Sequence, residues 1–128
     1  MRYLLDTQAL LWLSIDDPGL TRKVKTIFCD PDNEIFLSMA SLWEMAIKIS
    51  LRKLFLTQSL EDFTQNQIIN NDIKFLNIEP SHIYSLGNLP FHHRDPFDRL
   101  IIAQAIEENL PIIGSDRIFD KYRIERVW

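Results

Sequence analysis

Four carboxylic acids stand out in this chain of 128 residues: Asp6, Glu44, Asp98 and Asp116. Asp6 and Asp116 follow short apolar runs, Tyr3-Leu4-Leu5 and Ile112-Ile113-Gly114-Ser115, and Glu44 comes shortly after Ile35-Phe36-Leu37. Asp98 opens a helical segment and is followed by Leu100-Ile101-Ile102-Ala103. Carboxylates that meet at a semi-buried place repel one another, and their pKa values rise. A divalent cation relieves that repulsion, and oxygen-only donors favour Mg²⁺ or Mn²⁺ over zinc. A cation held in this way can activate water for hydrolysis.

Each acid also has a purely structural explanation. Ser41-Leu42-Trp43-Glu44 reads as a capping box, with Ser41 as N-cap and Glu44 at N3. Asp95-Pro96-Phe97-Asp98 reads the same way, with Asp95 as cap and Pro96 at N1. Asp6 and Asp116 can each cap a helix, and all four acids suit the positive end of a helix dipole. Capping does not account for the hydrophobic settings of the acids taken together.

The elements that must bring these acids together can be read from the pattern. Arg2 to Leu5 predicts a buried strand leading into a helix near Gln8 to Leu13, and Asp16-Asp17-Pro18-Gly19 a turn. Leu20, Val24, Ile27 and Phe28 recur at helical spacing. Glu34 to Ser38 predicts a second strand and Ser41 to about Leu51 a helix. Another helix opens at Ser59 and runs to about Asn70, before a third strand over Ile73 to Ile78. Pro80 starts a helix that ends near Gly87, and Pro96 starts a long one reaching about Asn109. Pro111 to Gly114 predicts a fourth strand, followed by a helical turn around Ile118 and Phe119 and an edge strand over Ile124 to Trp128.

Strands thus alternate with helices, which predicts an α/β fold with a largely parallel sheet, and residues 1–128 form one domain without repeat or linker. In such a sheet the carboxyl ends of the strands share one edge, where acids distant in sequence converge. Leu11, Trp12, Trp43, Ile47, Leu100, Ile101 and Ala105 are expected in the core.

Composition narrows the function classes. Hydrophobic residues make up 46% and charged residues 25%, ordinary for a globular protein and not for a disordered one. A lone cysteine, Cys29, and the absence of a signal peptide point to a cytoplasmic setting. No apolar run is long enough to span a bilayer, so membrane residence is not expected. The net charge of -4 argues against a protein that binds nucleic acid mainly through phosphate contacts, although cations in an acidic pocket can invert its local charge. The three glycines build no phosphate loop. His92 and His93 are adjacent in a loop, where their side chains tend to point apart, and no further ligand stands near at zinc spacing, so a loop or substrate contact is expected before ligation. A haloacid-dehalogenase phosphatase would need a second Asp two residues after Asp6, where Gln8 stands.

Four segments resemble the motifs of PIN-domain ribonucleases. Tyr3-Leu4-Leu5-Asp6-Thr7 resembles the opening motif, and Ser41-Leu42-Trp43-Glu44-Met45-Ala46-Ile47-Lys48 the second. The most specific is His93-Arg94-Asp95-Pro96-Phe97-Asp98-Arg99-Leu100-Ile101-Ile102-Ala103-Gln104-Ala105, similar to the third motif, and Ile113-Gly114-Ser115-Asp116 resembles the fourth. Order, spacing and length agree over the whole chain, and in pattern it is most similar to VapC-type toxins of bacterial toxin–antitoxin pairs. The resemblance implies an α/β/α sandwich, Mg²⁺- or Mn²⁺-dependent cleavage of RNA, a homodimer and a cognate antitoxin that blocks the site. It implies that Asp6, Glu44, Asp98 and Asp116 are the catalytic, metal-binding quartet, with Thr7 and Ser115 as hydroxyls that orient carboxylates. Asp95 stands either as a fifth acid at the pocket or as a helix cap, the cap being preferred. Lys48 and Arg52, four apart on one helix face, and Arg94 and Arg99, flanking the third motif, are candidate RNA contacts, and Arg99 could instead pair with an acid. The rival reading is a PIN-like module that binds RNA or a partner without cutting.

Overall fold

The computed structural model describes all residues, 1–128. Five strands form one sheet in the order β3-β2-β1-β4-β5. They are β1 (Arg2–Leu5), β2 (Glu34–Ser38), β3 (Lys74–Leu76), β4 (Ile112–Ile113) and β5 (Arg126–Val127). Every pairing is parallel, with Leu5 opposite Leu37 on one side and Ile113 on the other.

Alternation along the strands builds two cores, one on each face. Leu5, Leu37 and Ile113 point to the face covered by α1 (Thr7–Ser14), α2 (Arg22–Cys29), α3 (Met39–Ser50) and α4 (Leu60–Phe63). That core includes Leu10, Val24, Met45, Phe63 and Ile68. Leu4 and Ile112 point the other way, into a core with Ile101, Ile102, Ala105 and Phe119, beneath α5 (Pro80–Gly87) and α6 (Pro96–Glu108). Fully burying side chains such as Leu4 and Leu5 contributes roughly 1.5–3 kcal/mol each. The result is the expected α/β/α sandwich.

Local chemistry sets the helix ends. Asp95 caps α6 by accepting from the Phe97 and Asp98 amides at 2.9 and 3.0 Å, with Pro96 at N1. Asn109 ends α6 at φ 54°, a left-handed conformation that Asn tolerates. The helix expected from Ser59 continues beyond α4 as a π turn (Thr64–Ile68) and a 3₁₀ turn (Ile69–Asn71), and the third strand is shorter than expected.

Three expectations on and after α3 are corrected. The helix begins at Met39, because Ser38 caps it by accepting from the Ala40 amide at 3.0 Å. Ser41 is therefore inside the helix, and Glu44 lies beyond the first turn instead of at N3. Trp43 is 57% exposed and packs edge-on against Phe97. Arg52 follows the end of α3 at φ 57°, so it does not share a helical face with Lys48.

Candidate active site

Strand order reverses at β1, whose chain partner β2 lies on one side while β4 lies on the other. Crevices form at the carboxyl ends of strands at such a switch point. Asp6 leaves β1 there, and its amide donates to Ile113 O at 2.9 Å. Asp116 follows β4, Glu44 comes from α3 behind β2, and Asp98 from the first turn of α6. The four acids line one cavity of about 280 Å³, together with Thr7, Lys48, Asp95 and Ser115.

Asp6 is buried, and its carboxylate caps neither of the free amides that follow Thr7 in α1. Its pKa is pushed from 3.8 to about 7, first by burial and then by the charges of Asp98 and Glu44. The room it occupies exists because residue 114 is glycine: a Cβ there would lie 3.1 Å from Asp6 Cβ and 3.2 Å from a Phe119 ring carbon. Asp98 is pushed from 3.8 to about 6, again by burial first and then by Asp95, with His93 acting in the opposite direction.

Glu44 is also buried, but its oxygens are partnered. Thr7 Oγ1 lies 2.9 Å from Oε1 and 2.8 Å from Ser41 Oγ. With one hydroxyl proton each, Ser41 donates to Thr7 and Thr7 donates to Glu44. Lys48 Nζ donates to Oε2 at 2.6 Å. Asp116 caps the 3₁₀ turn Arg117–Lys121 with Oδ1, which accepts from the Ile118 amide at 2.9 Å. Its Oδ2 lies 3.0 Å from His93 Nε2, and Asp98 Oδ2 lies 3.1 Å from the same nitrogen.

The sequence-based expectations fare unevenly here. Of the two hydroxyls, Thr7 donates to the Glu44 carboxylate, whereas Ser115 lines the cavity without a hydrogen bond to any acid. Asp95 is both the cap of α6 and a wall of the cavity. Lys48 reaches the cavity, and Arg94 and Arg52 are exposed outside it. Arg99 is corrected: it is buried and faces away from solvent, its guanidinium donating to the carbonyls of Leu86, Leu89, Pro90 and His93. It contacts no acid and offers RNA no free donor face, since Phe91 covers its π-face.

Two residues were missed. Ser41 was read as a cap, and only its buried place beside Thr7 reveals the relay. His93 and His92 do point apart, His92 outward against Tyr122 and His93 into the site. The one available signal for His93 was its place five residues before Asp98 in the third motif.

The four acids share no local pattern, yet the fold holds them around one cavity with like charges facing one another. That arrangement fits a hard cation: the donors are oxygens, and two of them are destabilised in the charged state.

No curated protein matches the chain in sequence. Solved structures match it in fold. VapBC2 from Rickettsia felis, bound to a DNA fragment from its promoter, is similar with a TM-score of 0.74 at 16% identity over 99% of this chain and 98% of that one. FitAcB from Neisseria gonorrhoeae gives 0.68 at 16% identity over 100% and 97%, and a toxin–antitoxin complex from Klebsiella pneumoniae 0.62 at 19% identity over 98% and 96%. At such identities the likeness is one of fold. The family model for the PIN domain matches residues 3–125, a span that contains all four acids, all of β1 but its first residue, and β2 to β4. With nearly its whole length matched, the chain belongs to the PIN-domain family.

Proposed function

We propose that the chain, as a single domain over 1–128, is a metal-dependent endoribonuclease and the toxin of a toxin–antitoxin pair. One observation carries this reading: Asp6, Glu44, Asp98 and Asp116, from four separate elements, line one cavity where burial and mutual repulsion raise Asp6 to about 7 and Asp98 to about 6. Such a cluster costs folding free energy, and a divalent cation offsets that cost. A binding module that does not cut has no need of it.

Asp6, Glu44, Asp98 and Asp116 would hold Mg²⁺ or Mn²⁺, with Asp6, the most perturbed, as the first direct ligand. When bound, the cation supplies an activated water and positive charge at the phosphate under attack. Thr7 and Ser41 hold Glu44 in one orientation, facing the cavity. Lys48, the one basic residue lining the cavity, offers a point charge to a phosphate oxygen or to Glu44. Arg94 and Arg52, exposed outside, are the remaining candidates for contacts along the RNA. Thus a chain with net charge -4 can draw a polyanion to its bound cation and nearby bases, not to a basic surface.

The partners follow from the similar folds, which were solved as VapBC2, FitAcB and a toxin–antitoxin complex. That likeness supports an antitoxin as this chain's partner. The homodimer is proposed from the resemblance of its motifs to VapC-type toxins, and the cytoplasmic setting from its lone cysteine. No helix is long and apolar enough to cross a membrane.

The test is cleavage of a mixed pool of total RNA by purified protein with Mn²⁺, with Mg²⁺ and with EDTA, beside Asp6→Asn prepared identically. Discrete cuts that need metal and vanish in the variant are expected. Metal-independent cleavage, or equal cleavage by the variant, would remove the quartet from the mechanism.

A further inference from the structure

The geometry points to His93 as the positioning residue of the proposed metal centre: its ring, locked as the Nε2–H tautomer, holds the Asp116 carboxylate beside Asp98. The inference rests on the metal-centre reading above and adds a residue that the acidic quartet does not contain.

The ring nitrogens have different partners. The Asp95 amide donates to His93 Nδ1 at 3.2 Å. A nitrogen that accepts from a backbone N–H carries no proton of its own, so the ring proton resides on Nε2. Nε2 in turn lies 3.0 Å from Asp116 Oδ2, in hydrogen-bonding geometry, and 3.1 Å from Asp98 Oδ2. One N–H thus sits between carboxylates from α6 and from the loop behind β4, which would otherwise repel.

His93, Asp98 and Asp116 offer donor atoms within 4.8 Å of one another, which suits a three-ligand cation site by distance alone. The tautomer argues otherwise. A histidine that binds a metal normally donates its other ring N–H to a carbonyl or carboxylate. Here the other nitrogen faces a donor. Ligation through Nε2 would move the proton to Nδ1, against the Asp95 N–H, and lose that hydrogen bond.

The surrounding structure fixes His93 from every side. Its amide donates to Tyr122 Oη at 2.8 Å, and Tyr122 donates to Pro90 O at 2.8 Å. Its carbonyl accepts from Arg99 Nη1 at 3.3 Å. Its ring is inclined by 27° to that of Phe119, with centroids 6.1 Å apart. A loop residue that served only to connect two helices would need none of this. Buried Arg99 and Tyr122 spend their polar groups on the loop that delivers one imidazole. Outer partners of metal-binding carboxylates of this kind typically alter affinity about 10–100-fold when removed.

The experiment has two parts on the full chain. In the metal-free protein with its ring neutral, long-range ¹H–¹⁵N correlation of the His93 ring is expected to show Nε2 protonated and Nδ1 not. A proton on Nδ1 would overturn the inference. Mn²⁺ binding is then titrated by the electron paramagnetic resonance of the free ion for wild type, His93→Ala and His93→Gln, each first shown to unfold cooperatively. His93→Ala is expected to bind about 10-fold more weakly or worse, with partial recovery in His93→Gln, whose amide can donate. Unchanged binding in both variants would overturn the inference. Tighter binding in His93→Ala would also do so, because the ring would then be occupying the cation's place. A directly bound ¹⁴N coupling in the Mn²⁺-loaded wild type would make His93 a ligand and likewise overturn it. Wild type that takes up no Mn²⁺ would overturn the metal centre itself, a failure distinct from that of any variant.

Discussion

Lys48 Nζ lies 2.6 Å from Glu44 Oε2, four residues back on α3, so the base that lines the cavity neutralises one of its acids. Glu44 is buried while Lys48 is half-exposed, and the pair is anchored by the acid. Hydrogen bonding to Glu44 raises the Lys48 pKa. Lys48→Met should therefore lower metal-free stability by about 1–2 kcal/mol, because it strips a buried carboxylate of a charged partner. Denaturant unfolding with and without Mn²⁺ measures this, and the loss should shrink when metal is present. A variant as stable as wild type in EDTA would show the pair to be solvated and idle.

The pH dependence of stability should run against the usual direction for an acidic protein. The folded-state pKa of Asp6 is raised from 3.8 to about 7 and that of Asp98 to about 6. For a raised carboxyl the folded state binds protons more tightly than the unfolded chain. Its contribution is fully present below the unfolded value and is lost as pH rises through the folded one. Metal-free protein should thus lose stability between about pH 5 and pH 8, on the order of 3 kcal/mol for Asp6. Asp6→Asn should flatten most of that slope. Chemical denaturation across the window in EDTA decides the point, and stability that climbs with pH would refute the assigned shifts.

Mn²⁺ or Mg²⁺ should raise the melting temperature, since only the folded chain assembles the four carboxylates. At a concentration near 100 times Kd the gain is about 2.7 kcal/mol. The shift should be larger at pH 8 than at pH 5, where protons compete for Asp6 and Asp98. Calorimetry at both values tests this, and an equal shift at the two would place the metal elsewhere.

Arg99 grips the carbonyls of Leu86, Leu89, Pro90 and His93, so Arg99→Met should release the loop from 88 to 95. A cost of about 2–4 kcal/mol is expected, chiefly from the Leu89 and His93 carbonyls, since Leu86 O keeps the Leu89 amide and Pro90 O keeps the Tyr122 hydroxyl. Amide hydrogen exchange in that loop should rise more than in the β-sheet. Uniform loss of protection across the chain would mean that Arg99 supports the whole fold instead.

Gly114→Ala should push Asp6 out of place, because the added Cβ would meet Asp6 Cβ at 3.1 Å and Phe119 at 3.2 Å. The expected cost is about 1–3 kcal/mol, with weaker metal binding. Gly87→Ala is the control: a Cβ there has nothing within 4 Å and should be neutral or slightly stabilising. Thermal unfolding and Mn²⁺ titration of the two variants side by side make the comparison.

What the sequence determined by itself was the order of the elements and the motifs they carry. Apolar runs of strand length, Pro at helix starts and the Asp95-Pro96 cap are local signals, settled within a few residues, and the structure has the corresponding elements. The convergence of Asp6, Glu44 and Asp116 was also legible, because parallel strands share a carboxyl edge whatever their side chains. Tertiary structure decided the rest. Ser38 and Ser41 are both competent caps, and packing against the sheet selected Ser38, which turned Ser41 and Glu44 inward and left Trp43 outside. Arg99 reads from its charge as an RNA contact or as a partner for an acid, yet the loop from 88 to 95 folds over it and supplies three carbonyls, with a fourth from Leu86 at the end of α5. His93 sits in that same loop, which has no periodicity to betray its path. Its place between Asp98 and Asp116 depends on Tyr122, 29 residues away, and on the Asp95 amide, and such long-range closure leaves no mark on the sequence around it.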